Sequence, residues 1–539
     1  MKAHAKLEQA LAAHQQGALD EARALYERVL KWHPNHFDAV HMLGLVAYQQ
    51  GNLDRAALLI SKAIKIDPEV ASAHNNYGNV LQDQRKLTSA LASYERAIAL
   101  DPHYAEAHNN RGDVLQEMGR LSEALGSYAR ALEVSPRYAA AFFNQGNAYG
   151  RQGLWREAIE SYDQALSITP QYPQALMNRG NALVELRDNE SAVQSYASAL
   201  SLDPGIPYLA GTLLHVNMQQ CKWSDYEVRL GALLQDLRAN RPVCLPFPLL
   251  SMTEDSALHR KVAQAWIDSV HSRKRAPWSP VVRPKARKLR IGYFSGDLCN
   301  HPVAYLTAGL FEAHDRTQFE IFAFSFGADT QDDMRLRLEK TFDHFLDVKD
   351  LTDAQLINRA RECELDVAVD LTGLTKGCRP GVFAARVAPV QISYLGYPGT
   401  SAIPNMDYVL GDRTLFEAAD AMHYTEKFIR LPHSYQANDP SRRPSERKFT
   451  RAELGLPESG FVFCCFNNNY KINPVMFDCW MKILKSVPSS VLWLREATEQ
   501  TTHNLRAEAQ ARGVDGSRLV FASRIDSMAD HLARQRAAD

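Results

Sequence analysis

The sequence of 539 residues has eight cysteines (Cys221, Cys244, Cys299, Cys363, Cys378, Cys464, Cys465 and Cys479), with no CxxC pair and no metal-ligand spacing among them. That excludes the usual structural zinc patterns and points to a reduced, cytoplasmic protein. No apolar run approaches the ~18 residues of a membrane-spanning helix. The opening MKAHAKLEQALAAHQQG is amphipathic and lacks the apolar centre of a signal peptide. Charge of one sign is missing too: the formal net charge is −1, so no global field favours nucleic acid or an anionic membrane. Neither a Walker A loop nor a GxGxxG turn occurs, which weighs against P-loop NTPases and simple nicotinamide enzymes.

What is present begins with a period. Prolines stand at 34, 68, 102, 136, 170 and 204, the 34-residue spacing of tetratricopeptide repeats. Small residues keep the same register, as Ala10, Gly44, Gly78, Gly112, Gly146 and Gly180 in the first helix of each unit. Ala22, Ala56, Ala90, Ala124, Ala158 and Ala192 do so in the second. Missing side chains there let paired helices approach. Tyr26, Tyr94, Tyr128, Tyr162 and Tyr196 fill the gap between them, with Ile60 in the second unit. Each proline stops its second helix because it has no N–H to continue the ladder. Residues 3–206 are therefore expected to form an all-α superhelix of six repeats.

One register is not needed for folding. Asn76, Asn110, Asn144 and Asn178 share the sixth position of four successive first helices, which line the concave face of such arrays. An amide can donate and accept, so a ladder of them can satisfy an extended peptide backbone with little side-chain selectivity. The alternative is that these amides satisfy backbone groups between repeats. Glu8 and Met42 interrupt the ladder in the first two units.

Helical patterning continues through about 207–272, and 273–290 then holds eight basic residues and no acid, read as a solvated linker within a 207–287 connector. Beyond it the period becomes strand-like. Apolar runs at 289–295, 319–326, 365–373, 390–396, 406–412 and 427–432 alternate with helical stretches, as in a doubly wound α/β lobe at 288–440. A second lobe at 441–539 has runs at 461–467, 491–496 and 518–523. Ligands of such folds bind beyond the carboxyl ends of strands. The loops found there are SGDLCNHPVAYL with His301, LTGLTKGCR with Thr375 and Lys376, LGYPGTS with Gly399, and FNNNYKINP with Asn468, Tyr470 and Lys471. Singly, a loop histidine is more often a cap or a surface residue, and a lysine after a strand is usually solvated. Together they outline a cleft for an anionic ligand.

These loops, behind such repeats, resemble the O-linked N-acetylglucosamine transferases, glycosyltransferase family 41, over essentially the whole chain. The resemblance rests on LRIGYFSGDLCNHPVAYL, LTGLTKG, APVQISYLGYPGTS with MDYVLGD, and FNNNYKINP with VPSSVLWL. It implies a two-lobed GT-B-type fold and inverting transfer of N-acetylglucosamine from UDP-GlcNAc to Ser or Thr of proteins, with no metal or further cofactor. Partners would be the UDP-sugar and acceptor polypeptides. His301 matches the family's active-site histidine and Lys471 the lysine that neutralises the departing diphosphate. Asn468, Tyr470, Thr375, Gly399, His531 and Arg534 are expected on the donor side, and Asn76, Asn110, Asn144 and Asn178 along the acceptor groove. Ile525, Asp526, Ser527 and Met528 replace the Ala-Pro-Lys-like segment that usually precedes the nucleotide-side histidine. With three strand candidates where five or six are usual, the second lobe reads as incomplete and the chain as a truncated member. The competing expectation is an interaction scaffold whose transferase part is inactive.

Overall fold

The computed structural model describes residues 2–270 and 287–539; most of the basic stretch at 273–290 lies outside them. The chain divides into two compact units, Met1–Pro204 and Gly205–Asp539.

The first unit is six antiparallel helix pairs, such as Ala71–Asp83 with Leu87–Leu100 and Ala105–Glu117 with Leu121–Val134. Each second helix stops two residues before its proline. The intervening residue is pushed out of the α region, as at Asp67 with φ −137° and ψ 101°. Inside each pair the glycine and the aromatic ring are a matched set. A Cβ on Gly78 would lie 2.5 Å from the Tyr94 ring, and one on Gly112 2.4 Å from that of Tyr128. Both rings are fully buried, so the glycines are required by packing. Each ring's hydroxyl donates to a side chain three positions after the ladder asparagine: Tyr94 to Asn79 (2.7 Å), Tyr128 to Asp113 (2.7 Å), Tyr162 to Asn147 (2.8 Å) and Tyr196 to Asn181 (2.8 Å).

The turn inside each pair needs a left-handed residue. Gly17, Gly51, Gly119 and Gly153 supply it at φ +75° to +79°, whereas Arg85 and Arg187 hold it at +60° and +64°. A side chain there costs ~1–2 kcal/mol, partly offset by the unfolded-state freedom that glycine would add. Arg187→Gly is therefore expected to stabilise the array by about 0.5–1 kcal/mol. Denaturant unfolding checks this, and an unchanged or lower midpoint counts against it.

The second unit contains a seven-stranded sheet: β1 (Leu289–Ser295), β2 (Phe319–Ser325), β3 (His344–Asp347), β4 (Val367–Asp370), β5 (Val390–Tyr394), β6 (Tyr408–Gly411) and β7 (Lys427–Arg430). All neighbours are parallel in the order β3-β2-β1-β4-β5-β6-β7, so the order of winding, not the strand direction, reverses between β1 and β4. Both faces are covered, which is why the strands read as apolar runs. Phe294, Phe322 and Phe324 enter one core, and Tyr293, Ile321 and Ala323 the other. Six of these strands match the sequence expectation. β3 (HFLD) was not foreseen; it is four residues long with both ends exposed.

A second parallel sheet has the order β10-β9-β8, from β8 (Val462–Cys465), β9 (Val491–Arg495) and β10 (Leu519–Ala522). The connector is more than a spacer. Met218, Trp223, Tyr226 and Leu233 share one core with Phe477, Met481, Leu492 and Leu494 of this lobe. Ala263 and Ile267 of helix Ser256–Val270 complete a core of the first sheet. Among the described residues no helix is long and apolar enough to cross a membrane.

Candidate active site

The loops at the carboxyl ends of β1, β4 and β5 form one interlocked platform. The β4 strand ends in Asp370, which is fully buried and accepts the amides of Thr372 (2.9 Å) and Gly373 (3.1 Å). Burial raises its carboxyl to about 6 despite these donors. The Thr372 hydroxyl accepts the Gly296 amide of the β1 loop (3.3 Å). A Cβ on Gly396 would meet the Leu371 carbonyl oxygen at 2.0 Å, so this loop can approach only as glycine. Glu426 secures the next turn: its buried carboxylate accepts from Thr400 Oγ1 (2.7 Å), the Ser401 amide (2.8 Å) and the Ser401 hydroxyl.

His301 sits beside this platform as the N-cap of helix Pro302–Glu312, with proline at the first helical position, where its missing N–H costs nothing. Its Nδ1 lies 3.4 Å from the Val303 amide and 3.7 Å from Asp297 Oδ2. That turns Nε2 outward. Burial raises the Asp297 carboxyl and the charge of His301 opposes the shift. Thr375 turns its hydroxyl to the Thr372 carbonyl (2.9 Å), and Gly399 is buried against the Tyr397 ring. Both serve the shape of the platform in this structure.

The second lobe gathers cations at its strand ends. Beyond β8, residues Asn469–Lys471 form a 3-10 turn in which the Lys471 amide donates to the Asn468 carbonyl (3.0 Å). The Lys471 side chain is exposed and has no ion-pair partner among the described residues. Asn468 accepts from Arg495, the last residue of β9. Tyr470 packs its ring on His215 of the connector (centroids 4.9 Å apart) and its hydroxyl interacts with Asn468, so it anchors the lysine turn from behind.

Beyond β10, helix Met528–Arg534 carries His531 and Arg534. Arg534 is 4% exposed, donates to the Ser523 carbonyl and stands over the Phe466 ring at 5.1 Å. Burial lowers its pKa. Arg534 Nη2 is 2.7 Å from His531 Nδ1; since arginine only donates, the imidazole proton sits on Nε2. Burial first, then the charges of Arg534, Arg442 and Arg495, lower the His531 pKa, which keeps it neutral at pH 7. Arg442, Arg495, Arg534 and Lys471 make no ion pair with a carboxylate among the described residues. Arg534 is buried and Arg442 half-buried, whereas Lys471 and Arg495 are exposed; a cluster of like charges without carboxylate partners suits an anionic ligand. No hydrogen bond or ion pair joins His301 to Lys471.

Asp297, Arg442, Arg495 and Glu426 were not foreseen. The four-residue step from Asp297 to His301 and the charge closing VLWLR were visible signals. Arg442 stands in the polar stretch NDPSRRPSERKFT between the lobes, and nothing local marks it or Glu426.

Comparison with known proteins bears on the same regions. The model of the family described as glycosyl transferase family 41 matches residues 220–446 and 441–539. Tetratricopeptide models match 7–71, 78–119, 110–173 and 143–207. The chain is 30% identical over 349 residues to a probable UDP-N-acetylglucosamine–peptide N-acetylglucosaminyltransferase SEC of Arabidopsis thaliana, covering 61% of this chain and 35% of that one. It is 27% identical over 447 residues to the UDP-N-acetylglucosamine–peptide N-acetylglucosaminyltransferase of Caenorhabditis elegans, covering 59% and 39%. The chain thus spans little more than a third of the length of these relatives. Among solved structures, a mutant O-GlcNAc transferase of Thermobaculum terrenum aligns with TM-score 0.55 and 27% identity, over 80% of this chain and 76% of that one. With the connector and both lobes matched by one family, over more than half its length, the chain belongs to glycosyl transferase family 41.

Proposed function

We propose that this protein moves N-acetylglucosamine from UDP-GlcNAc, with inversion, to Ser or Thr hydroxyls of polypeptides held along the repeat groove. The observation that carries the reading is the set of cations without carboxylate partners at the second lobe's strand ends, facing a chemistry whose leaving group is a diphosphate. As the acceptor hydroxyl forms its bond to the anomeric carbon, the bond to UDP breaks with its electron pair passing to a phosphate oxygen, and the hydroxyl proton is released to solvent. Negative charge therefore grows beside Lys471, where a fixed cation stabilises it. Asn468 and Arg495 support that turn, His531 and Arg534 form the nucleotide side, and Thr375 and Gly399 shape the platform opposite. His301 faces the reaction through Nε2, with Asp297 behind it.

The groove supports a refined version of the ladder. Each amide nitrogen is occupied between repeats: Asn76 with His41 Nε2 (3.1 Å), Asn110 with Asn75 and Asn79 (both 3.1 Å), Asn144 with Asn109 (3.1 Å) and Asn178 with Asn147 (2.8 Å). Asn110 Oδ1 already accepts from Asn109 at 3.4 Å, and the other carbonyl oxygens of the ladder are the acceptors offered to peptide N–H groups.

Transfer of label from radioactive UDP-GlcNAc to proteins of a cell extract, released by β-elimination, tests the reading. No transfer with peptide binding intact would leave the scaffold alternative. Asn110→Ala with Asn144→Ala is expected to raise the acceptor KM about tenfold, two hydrogen bonds at ~0.5–1.5 kcal/mol each, with the donor KM unchanged. An unchanged acceptor KM would remove the ladder from acceptor binding.

A further inference from the structure

The strap that joins the two lobes carries one guanidinium that neither fold needs. Asp439 ties it to the first lobe: its carboxylate accepts from Arg337 (2.6 Å) and the Ser441 hydroxyl (2.8 Å). The strap crosses helix Pro302–Glu312 at Gly309, where a Cβ would meet Pro440 Cδ at 2.7 Å. Three residues after Arg442, the Ser445 amide donates to the Ala529 carbonyl (2.9 Å), on the helix that carries His531 and Arg534. Arg442 thus sits where the helix capped by His301 and the helix bearing His531 come together. Its guanidinium lies over the Tyr305 ring at 5.4 Å, one turn beyond His301, and its Nη2 is 3.5 Å from Met528 Sδ. Its Nε is buried with no hydrogen-bond partner, and no carboxylate pairs with it among the described residues. A charge held in place from both sides and left unpaired is preorganised for an anion.

We propose that Arg442 binds the diphosphate of the nucleotide sugar from the strap side, opposite Lys471. This rests on the transferase reading above. Planar guanidinium matches phosphate through a two-pronged fork, which lysine cannot reproduce.

Titration of the 539-residue chain with UDP and with uridine, by calorimetry, tests the assignment. Arg442→Gln is expected to weaken UDP about 10- to 100-fold, as for one charge-assisted bond, and to leave uridine within twofold. Arg442→Lys is expected to restore part of the loss. UDP affinity within twofold of wild type in Arg442→Gln would overturn the proposal. Equal weakening of UDP and uridine would also overturn it, marking Arg442 as a latch between lobes. Wild-type protein that binds no UDP would remove the transferase reading itself, and Arg442's part with it.

Discussion

Replacing Lys471 with methionine is expected to lower kcat for sugar transfer about 10²–10³-fold, the usual loss when one preorganised group facing transition-state charge is removed. The side chain is exposed, and only its backbone amide, bonded to Asn468, takes part in the turn. The fold therefore loses nothing that methionine cannot replace, and the unfolding midpoint is expected to stay within the small range typical of surface changes. Charge in the ground state is shared among Lys471, Arg442, Arg495 and Arg534, so donor KM is expected to rise far less than kcat falls. Initial rates of labelled transfer at varied UDP-GlcNAc separate the two effects. A variant with kcat within threefold of wild type would assign the leaving-group charge to another cation.

How much of this was legible depends on how far apart the interacting residues lie. The repeats were legible in full, because proline, glycine and tyrosine recur at one period and act within a single helix pair. The ladder was visible as a position, yet not the occupation of its amide nitrogens, whose partners belong to the preceding repeat. Strands buried on both faces announce themselves as apolar runs, whereas β3 has only Phe345 and Leu346 between an exposed histidine and an exposed aspartate. In the candidate site, His301, Lys471 and Asn468 stand in strand-end loops that the sequence singles out, whereas His531 and Arg534 are named by the family resemblance alone. Tyr470 looked like their neighbour in sequence, but its ring meets His215, a residue of the connector far back in the chain. The connector itself read as a spacer because its apolar residues follow an ordinary helical pattern, and only the fold brings Phe477 and Leu492 to cover them. Arg442 has no local signature at all; its meaning comes from two helices on different lobes.

Asp113→Asn is expected to stabilise the repeat unit by about 2 kcal/mol at pH 7.5 and by almost nothing at pH 4. Asn79, Asn147 and Asn181 occupy the equivalent position in neighbouring repeats, and each accepts the hydroxyl of its own tyrosine just as Asp113 accepts that of Tyr128. The neutral amide can therefore keep the 2.7 Å bond to Tyr128. What it removes is a charge that burial disfavours. No cation pairs with Asp113 among the described residues, Asn109 reaches it only at 3.4 Å, and Glu117 adds repulsion. Burial is the largest cause, and the carboxyl rises from 3.8 to about 6. The folded state then binds this proton more tightly than the unfolded chain does. Between those two values a folded chain is protonated where an unfolded one is not, so stability falls as pH rises through the window and stays lower above it. Asparagine has no such proton to lose. The gap between variant and wild type should open from about pH 4 to pH 6 and then remain constant. Denaturant unfolding of both proteins at pH 4, 5, 6 and 7.5 checks it. A gap independent of pH, or a variant less stable than wild type at pH 7.5, would mean that the Asp113 charge is compensated by the groove around it.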